Sequence, residues 1–364
     1  MDTNLHELFI QLLRVGIGAA ESATIPEDVD WEALKGLSAE QGLLAVVLDG
    51  MDSLNANFAD GLNKMSKRAR LEWIGEVLQQ EQVNAIQQKA AGEMALLFHE
   101  NGIRTYVLKG AVIAECYPRP EHRSSVDVDC FLLPERSDFN AWELGNSIVS
   151  SNGFEVATDF YKNSTFFFSG LTVENHKFLT PFRGNKKLKA LEKVLQALLR
   201  QDKGEDKFEE TYLFRPPVMV TALFLIEHAY SHFLHEGLTW RMVLDWVMFC
   251  RKHREEIDWK VFEGYVDEFG FRMFYETFSR LGQYLIGDVQ ELKSLSEQEL
   301  RVLDDIWAPL DLHETVTGVI GKLALAGNTW RARWKYRDYT DISWFKALWI
   351  QAKGFLFEKE PRLD

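Results

Sequence analysis

The stretch IRTYVLKGAVIAECYPRPEHRSSVDVDCFLL, residues 103–133, contains the features that decide the fold. Residues 103–108 read as a short buried strand, and a Lys-Gly pair ends it. Residues 111–117 have helical spacing, and two prolines close that helix because proline cannot continue it. Residues 125–133 alternate with the two-residue period of a second strand. The stretch therefore predicts a strand, a glycine turn, a helix and a second strand in succession.

The second predicted strand carries two carboxylates on one face. Its alternation assigns one face to Val126, Val128, Cys130 and Leu132, and the other face to Asp127, Asp129 and Phe131. Neighbouring carboxylates repel each other, and this arrangement is costly unless a cation lies between them. A hard cation such as Mg²⁺ takes oxygen ligands of this kind. The alternative is that Asp127 and Asp129 lie on the solvated face of an amphipathic strand.

These residues resemble a known family. The similar motifs are Leu108-Lys109-Gly110, Tyr117, Arg123 and the Asp-Val-Asp of residues 127–129. Together they resemble the uncharacterised nucleotidyltransferase family, a branch of the DNA polymerase β-like nucleotidyltransferase superfamily. The resemblance is strongest over residues 108–133 and weaker out to about residue 250. It implies an α+β fold, with a small mixed-sheet nucleotidyltransferase-like core flanked by N-terminal and C-terminal helical regions.

The chain pattern predicts three regions. The 364 residues suffice for two or three modest domains. We expect an N-terminal helical region over residues 1–100, an α/β core over residues 101–195, and a C-terminal helical domain over residues 196–364. A long amphipathic helix should end near residues 101–102 and lead into the first strand. Its predicted apolar face consists of Val83, Ile86, Ala90, Met94 and Leu97.

Charge and cysteine content limit the class of protein. The net charge is −14, whereas general nucleic-acid binders are usually basic, so DNA or RNA is an unlikely substrate. The three cysteines are far apart, which suits a reducing compartment and gives no zinc or disulfide framework. The N-terminus lacks the basic segment of a signal peptide, and the longest apolar run, residues 218–226, is too short to span a membrane. We therefore expect a cytoplasmic protein, and the oligomeric state stays open.

A predicted β-hairpin supplies a candidate third carboxylate. Residues 164–168 and 171–179 read as its two arms, joined by Ser-Gly. In the second arm Thr172, Glu174 and His176 share a face. We expect Glu174 to lie beside the two aspartates, and the alternative is an exposed strand glutamate. The superfamily also takes its third carboxylate from a later strand, although aspartate is more common there.

Two predicted helices beyond residue 216 carry polar side chains on otherwise apolar faces. His228 and His232 are four residues apart, and Arg241 and Asp245 repeat that spacing. No third ligand at an obvious spacing supports a zinc site at the histidines. Together with His176, these four residues are the candidate acceptor site. The alternatives are that the histidines satisfy each other within a helical bundle, and that Arg241 and Asp245 form an intrahelical salt bridge.

Two basic segments complete the candidates. Arg183, Lys186, Lys187 and Lys189 could contact phosphates or form a solvated cluster at a helix start. The segment over residues 330–357 is rich in aromatic and basic residues. It is either a membrane-surface helix or a docked helix with Trp344, Leu348 and Phe355 buried, and we expect the docked helix.

The resemblance implies a binding site for a nucleoside triphosphate. Lys109 and Gly110 lie at the turn that should hold phosphate oxygens with backbone N–H groups, and Arg123 would add positive charge. The wider superfamily usually has Gly-Gly or Gly-Ser at this turn. Here Ala111 follows the glycine and offers no hydroxyl. Lys109 or Arg123 would replace that contact.

The predicted function is nucleotidyl transfer. An acceptor oxygen would attack the α-phosphate of a nucleoside triphosphate, for which we expect ATP, and pyrophosphate would leave. Two Mg²⁺ ions held by Asp127, Asp129 and Glu174 would neutralise the charge. The acceptor would be a small-molecule or protein hydroxyl. The alternatives are a catalytically silent scaffold and a metal-dependent phosphohydrolase, which would need more ligands near the helix histidines.

Overall fold

The structure is a computed structural model that describes residues 3–56, 65–136, 139–158, 161–287, 295–308, 330–357 and 363. The predicted α+β class is confirmed, because one mixed sheet of six strands is flanked by helices on both sides in sequence. The first four helices are α1 (Thr3–Gly16), α2 (Trp31–Glu40), α3 (Leu44–Ala56) and α4 (Lys67–His99). The strands are β1 (Ile103–Val107), β2 (Val128–Pro134), β3 (Val156–Ala157), β4 (Asn163–Phe168), β5 (Leu171–His176) and β6 (Leu213–Phe214).

The remaining helices lie between and after these strands. Between the strands are α5 (Ala111–Ala114), a 3₁₀ turn (Pro120–His122), α6 (Ala141–Ser151) and α7 (Lys186–Gln201). After β6 come α8 (Val218–His235), α9 (Trp240–Lys252), α10 (Trp259–Phe269), α11 (Arg272–Ile286) and α12 (Glu297–Trp307), and then α13 (Arg333–Tyr339) and α14 (Trp344–Phe357).

The sheet brings β2 and β5 side by side at its centre. The strand order is β3-β4-β5-β2-β1-β6. β2 pairs antiparallel with β1 and parallel with β5, and β6 pairs parallel with β1. The predicted hairpin is confirmed as β4 and β5. Ser169 and Gly170 both have positive φ, which a tight two-residue hairpin turn requires and which glycine adopts without strain.

The second strand of the opening stretch begins later than predicted. β2 starts at Val128, so the alternation expected from residue 125 does not hold at its beginning. Val126 was assigned to the same strand face as Val128, but it is 74% exposed whereas Val128 is buried. The reason is that residues 119–127 form a loop fixed by α4 rather than a strand. Gln80 and Gln87 of α4 donate hydrogen bonds to the carbonyls of His122 and Val126.

The contact between α4 and this loop also explains why part of the predicted apolar face of α4 is exposed. Val83 and Ile86 were predicted on its buried face, yet both are exposed, whereas Ala90 and Met94 are buried as predicted. Asn84 and Gln87 are buried in place of the two apolar residues. This part of α4 packs on loop backbone, whose carbonyls require hydrogen-bond donors when they are buried. Polar side chains therefore occupy the buried face there.

The helices after β6 follow the sequence pattern. α8 begins directly after Pro217 and α9 directly after Thr239, whose side chain caps it. In α14 Trp344 and Leu348 are partly buried, whereas Phe345 and Trp349 are exposed; the side chain of Phe355 lies outside the described residues. Within the described ranges, no helix combines the length and the apolar character that crossing a membrane needs.

Candidate functional site

Three polar side chains meet at the centre of the sheet. Asp129 on β2 is the direct cross-strand neighbour of Glu174 on β5, and His176 lies two residues further along β5 on the same face. His176 Nε2 is 2.9 Å from Asp129 Oδ1 and 3.6 Å from Glu174 Oε2. Asp129 and His176 are buried, whereas Glu174 is partly exposed. The structure thus brings the predicted third carboxylate to Asp129, and it adds an imidazole between them.

The His176 ring is oriented by the chain that follows β5. Its Nδ1 is 3.2 Å from the carbonyl oxygen of Phe178, so Nδ1–H donates there and Nε2 points to the carboxylates. Burial opposes a charge on His176, but hydrogen bonds to Asp129 and Glu174 outweigh it and raise the pKa of the imidazole. The two carboxylates therefore favour the protonated form of His176.

Lys109 supplies the second positive charge. It follows β1, and its Nζ lies 3.0 Å from Asp129 Oδ2 and 3.4 Å from His228 Nε2. Burial alone would raise the pKa of Asp129, but Lys109 and His176 hold it well below its usual range. The buried Asp129 Oδ2 is thus balanced by the Lys109 ammonium at ion-pair distance.

Gly110 allows the turn between β1 and α5 to approach the loop before β2. It has φ of +63° and caps α5 without a side chain. A Cβ at this position would lie 3.4 Å from Ser125 Oγ, and the positive φ would strain any other residue. The turn is therefore held close to the loop that carries Asp127.

Asp127 is not a member of the group formed by Asp129, Glu174 and His176. It precedes β2 and lines a cavity of about 210 Å³. Burial and the nearby Asp129 carboxylate raise its pKa. The cavity is also lined by Lys109, Gly110, Arg123, His228, His232, Arg241 and Asp245. Most of the predicted site residues therefore surround one space, and their roles stay predictions.

The predicted salt bridge between Arg241 and Asp245 is wrong. Asp245 instead accepts hydrogen bonds from Arg123, at 2.8 Å from Nη2 and 3.1 Å from Nε, and from Tyr117 at 2.7 Å. Burial would raise the pKa of Asp245, but Arg123 lowers it. Arg241 donates to the carbonyl of Ser124 at 2.9 Å. Arg123 is buried and forms a hydrogen-bonded ion pair with Asp245, because the loop before β2 lies directly on α9.

The two histidines of α8 line the same cavity as Asp127. Their ring centroids are 4.4 Å apart. His232 Nδ1 is 2.6 Å from Glu236 Oε2. Burial, with the nearby Lys109 and His232, holds the pKa of His228 well below its usual range. His228 is therefore neutral near pH 7, and its Nε2 accepts from Lys109. These positions agree with an acceptor pocket, which stays a prediction.

One group of residues was missed by the sequence analysis. His122, in the 3₁₀ turn, is buried with Nδ1 2.6 Å from Asp49 Oδ2 and Nε2 2.7 Å from Glu81 Oε1. Asn84 donates to the carbonyls of Glu121 and Arg123. These contacts position the loop that leads to Asp127. The sequence feature that could have indicated this contact is the presence of Asn84 and Gln87 among the apolar residues of the predicted buried face of α4.

The basic segment around residue 186 is the first turn of α7. Asn185 caps this helix, and Lys187 forms an ion pair with Asp341. Arg183 stacks on the Tyr161 ring at 4.1 Å. The segment therefore lies at a helix start, and its contact with phosphates stays a prediction.

Two groups of described side chains could hold a metal ion: Asp129, Glu174 and His176, and separately Glu81, Glu121 and His122.

A comparison with protein families matches residues 27–287 to a family described as uncharacterised nucleotidyltransferase. Searches of curated proteins and of solved structures gave no significant match. The family match covers most of the chain and includes every candidate residue of the cavity. The chain belongs to the uncharacterised nucleotidyltransferase family.

Proposed function

We propose that the protein is a metal-dependent nucleotidyltransferase that moves a nucleoside monophosphate from a nucleoside triphosphate, with ATP as the proposed donor, to a hydroxyl of a small molecule or a protein. The observation that carries the proposal is the group of Asp129, Glu174 and His176 at the centre of the sheet, whose ligand atoms lie within 4.8 Å of one another. Carboxylates that converge in this way repel each other, and a divalent cation between them removes that cost. The family supports the reaction class.

The metal ligands in this proposal are Asp127, Asp129 and Glu174. Asp129 and Glu174 are neighbours on adjacent parallel strands, and Asp127 opens onto the cavity. Two Mg²⁺ ions at these carboxylates would supply positive charge for the triphosphate and for the attacking oxygen. The three carboxylates also provide the oxygen ligands that Mg²⁺ requires.

The triphosphate would be bound by the cations on the cavity wall. Lys109 and Gly110 are placed for this role at the turn after β1. Arg123, the other predicted phosphate contact, instead donates hydrogen bonds to Asp245, so we propose that it stabilises the site without contacting the phosphates. Arg241 lines the cavity and donates one hydrogen bond from Nη1 to a backbone carbonyl. We therefore propose Arg241, beside Lys109, as the second phosphate contact.

The acceptor would enter beside His228 and His232. Neutral His228 accepts from Lys109 through Nε2 in the protein alone. When Lys109 turns to a phosphate, Nε2 becomes available to accept a hydrogen bond from the acceptor hydroxyl. His176 and Asp245 orient the surrounding groups, since both are buried and hydrogen-bonded to site residues.

The alternative function is a catalytically silent scaffold. The observation that favours it is the ion pair between Lys109 and Asp129, since this internal cation already balances the carboxylate.

The net charge of −14 argues against nucleic acid as the main partner under either function. Cys116, Cys130 and Cys250 are free thiols, which supports our proposal of a cytoplasmic location.

A nucleotide screen tests the proposed function. Thermal unfolding would be followed with each of the four common nucleoside triphosphates, with and without Mg²⁺. A bound nucleotide at about 100 times its Kd stabilises the folded state by about 2.7 kcal/mol. We expect at least one triphosphate to raise the Tm only when the metal is present. Equal shifts with and without metal, or no shift with any triphosphate, would favour the scaffold.

A further inference from the structure

The chemistry of His176 separates this site from a set of carboxylates alone. One ligand atom from each of Asp129, Glu174 and His176 lies within 4.8 Å of the other two. His176 Nε2 is 2.9 Å from Asp129 Oδ1 and 3.6 Å from Glu174 Oε2. Ligand atoms about 2.1 Å from a metal ion lie roughly 3.0 Å apart in octahedral and 3.4 Å apart in tetrahedral coordination. The imidazole is therefore spaced from both carboxylates as ligands of one ion are.

The surroundings of the imidazole match those of a metal ligand. Metal-binding histidines commonly donate their second N–H to a backbone carbonyl or a carboxylate, which fixes the ring and the tautomer. His176 does this through Nδ1, 3.2 Å from the carbonyl of Phe178. The ring is also held edge-on to Phe224 of α8, with 6.3 Å between the centroids. Nε2 is thus aimed at Asp129 and Glu174 by contacts outside the cluster.

We infer that His176 is a metal ligand, together with Asp129 and Glu174, and that this position takes a divalent transition metal ion such as Mn²⁺ in preference to Mg²⁺. The inference rests on the proposed function, since it assigns one of its two metal positions. Imidazole nitrogen is a favourable ligand for first-row transition metals, whereas Mg²⁺ selects oxygen ligands. The Mg²⁺ that accompanies the triphosphate would remain on the side of Asp127.

Asp129 has one oxygen for each neighbour in this arrangement. Oδ1 faces His176 and Oδ2 faces Lys109. The metal position therefore lies on the Oδ1 side, and Lys109 keeps its place beside Oδ2 or moves to a phosphate. The histidine is the feature that changes the preferred ion.

The test is Mn²⁺ binding by the full-length protein without nucleotide. Free Mn²⁺ is counted by electron paramagnetic resonance, and electron spin echo modulation of the bound ion reports a directly coordinated nitrogen. We expect wild-type protein to bind Mn²⁺ roughly tenfold or more tightly than Mg²⁺ and to show nitrogen modulation. The His176→Gln variant should lose the modulation and this preference, while its Mg²⁺ affinity changes little.

The second candidate cluster provides a matched control. His122 lies with Glu81 and Glu121, so the His122→Gln variant should retain the nitrogen signal if that signal comes from His176. A bound Mn²⁺ without nitrogen modulation in the wild type, or a signal lost only with His122, overturns the inference and leaves the proposed function standing. If neither Mn²⁺ nor Mg²⁺ binds, the proposed function fails as well. The wild-type spectrum decides the question even if the His176→Gln variant does not fold.

Discussion

At the scale of single residues, the two arginines near the cavity have different environments. Arg123 is 4% exposed, and its guanidinium holds the buried carboxylate of Asp245. Arg241 stands at the cavity wall and is bound to one backbone carbonyl. Arg123 was predicted to bind phosphate because it lies four positions before Asp127. Its hydrogen bond to Asp245 could not be predicted, since the two residues are 122 positions apart in the chain.

Substitution should separate these two arginines. Arg123→Met leaves Asp245 buried without its partner, so we expect the free energy of unfolding to fall by about 3–5 kcal/mol. Arg241→Met removes a cation from the cavity wall, so we expect triphosphate affinity to fall about tenfold, with a smaller change for the monophosphate. Urea unfolding and nucleotide titration measure the two effects. Equal loss of stability in both variants would give Arg241 a structural role instead.

At the scale of secondary-structure elements, the loop over residues 119–127 is positioned by α3 and α4. His122 contacts Asp49 of α3 and Glu81 of α4, and Asn84 and Gln87 bind the loop backbone. Most strands and helices could be predicted from periodicity because their apolar faces pack on other apolar faces. The loop could not, since polar side chains of α4 bind it and the two-residue period is lost before Val128.

The His122 contacts should make this loop sensitive to pH. Burial opposes a charge on His122, but hydrogen bonds to Asp49 and Glu81 outweigh it and raise its pKa. A raised pKa means that the ionised contact contributes its full stability below the unfolded pKa of roughly 6.5, and that this stability is lost as the pH rises through the folded pKa. We expect His122→Gln to destabilise the protein by about 1–3 kcal/mol at roughly pH 6 and by less at roughly pH 9.

The matched control for this prediction is His99→Gln. His99 pairs with Glu135 at 2.7 Å but is partly exposed and lies away from the loop over residues 119–127. Urea unfolding measured at several pH values, with hydrogen exchange of that loop, follows both variants. The prediction is contradicted if His122→Gln lowers the free energy of unfolding by the same amount at every pH. It is also contradicted if the amides of residues 119–127 exchange as slowly in His122→Gln as in the wild type.

At the scale of the whole molecule, the cavity collects residues from distant parts of the chain. Lys109 comes from the end of β1, Asp127 from the loop before β2, and His228 and Arg241 from α8 and α9. The three-region division of the chain, over residues 1–100, 101–195 and 196–364, remains our proposal for its domains. The motifs within residues 103–133 indicated the proposed metal side of the cavity, and the four-residue spacing on α8 and α9 indicated residues of the opposite wall. The pairing of Arg123 with Asp245 could not be predicted, because it depends on tertiary packing that no local pattern encodes.

The central claim is that Asp129 binds a metal ion required for nucleotide binding. The most direct measurement is the affinity for ATP, by isothermal titration calorimetry with and without Mg²⁺ or Mn²⁺, of the wild type and the Asp129→Asn variant. Asp206→Asn, which changes an exposed carboxylate paired with Arg215, serves as the control. We predict that metal strengthens ATP binding about tenfold or more in the wild type and the control, and not in Asp129→Asn. Equal metal-dependent binding in all three proteins would contradict the account.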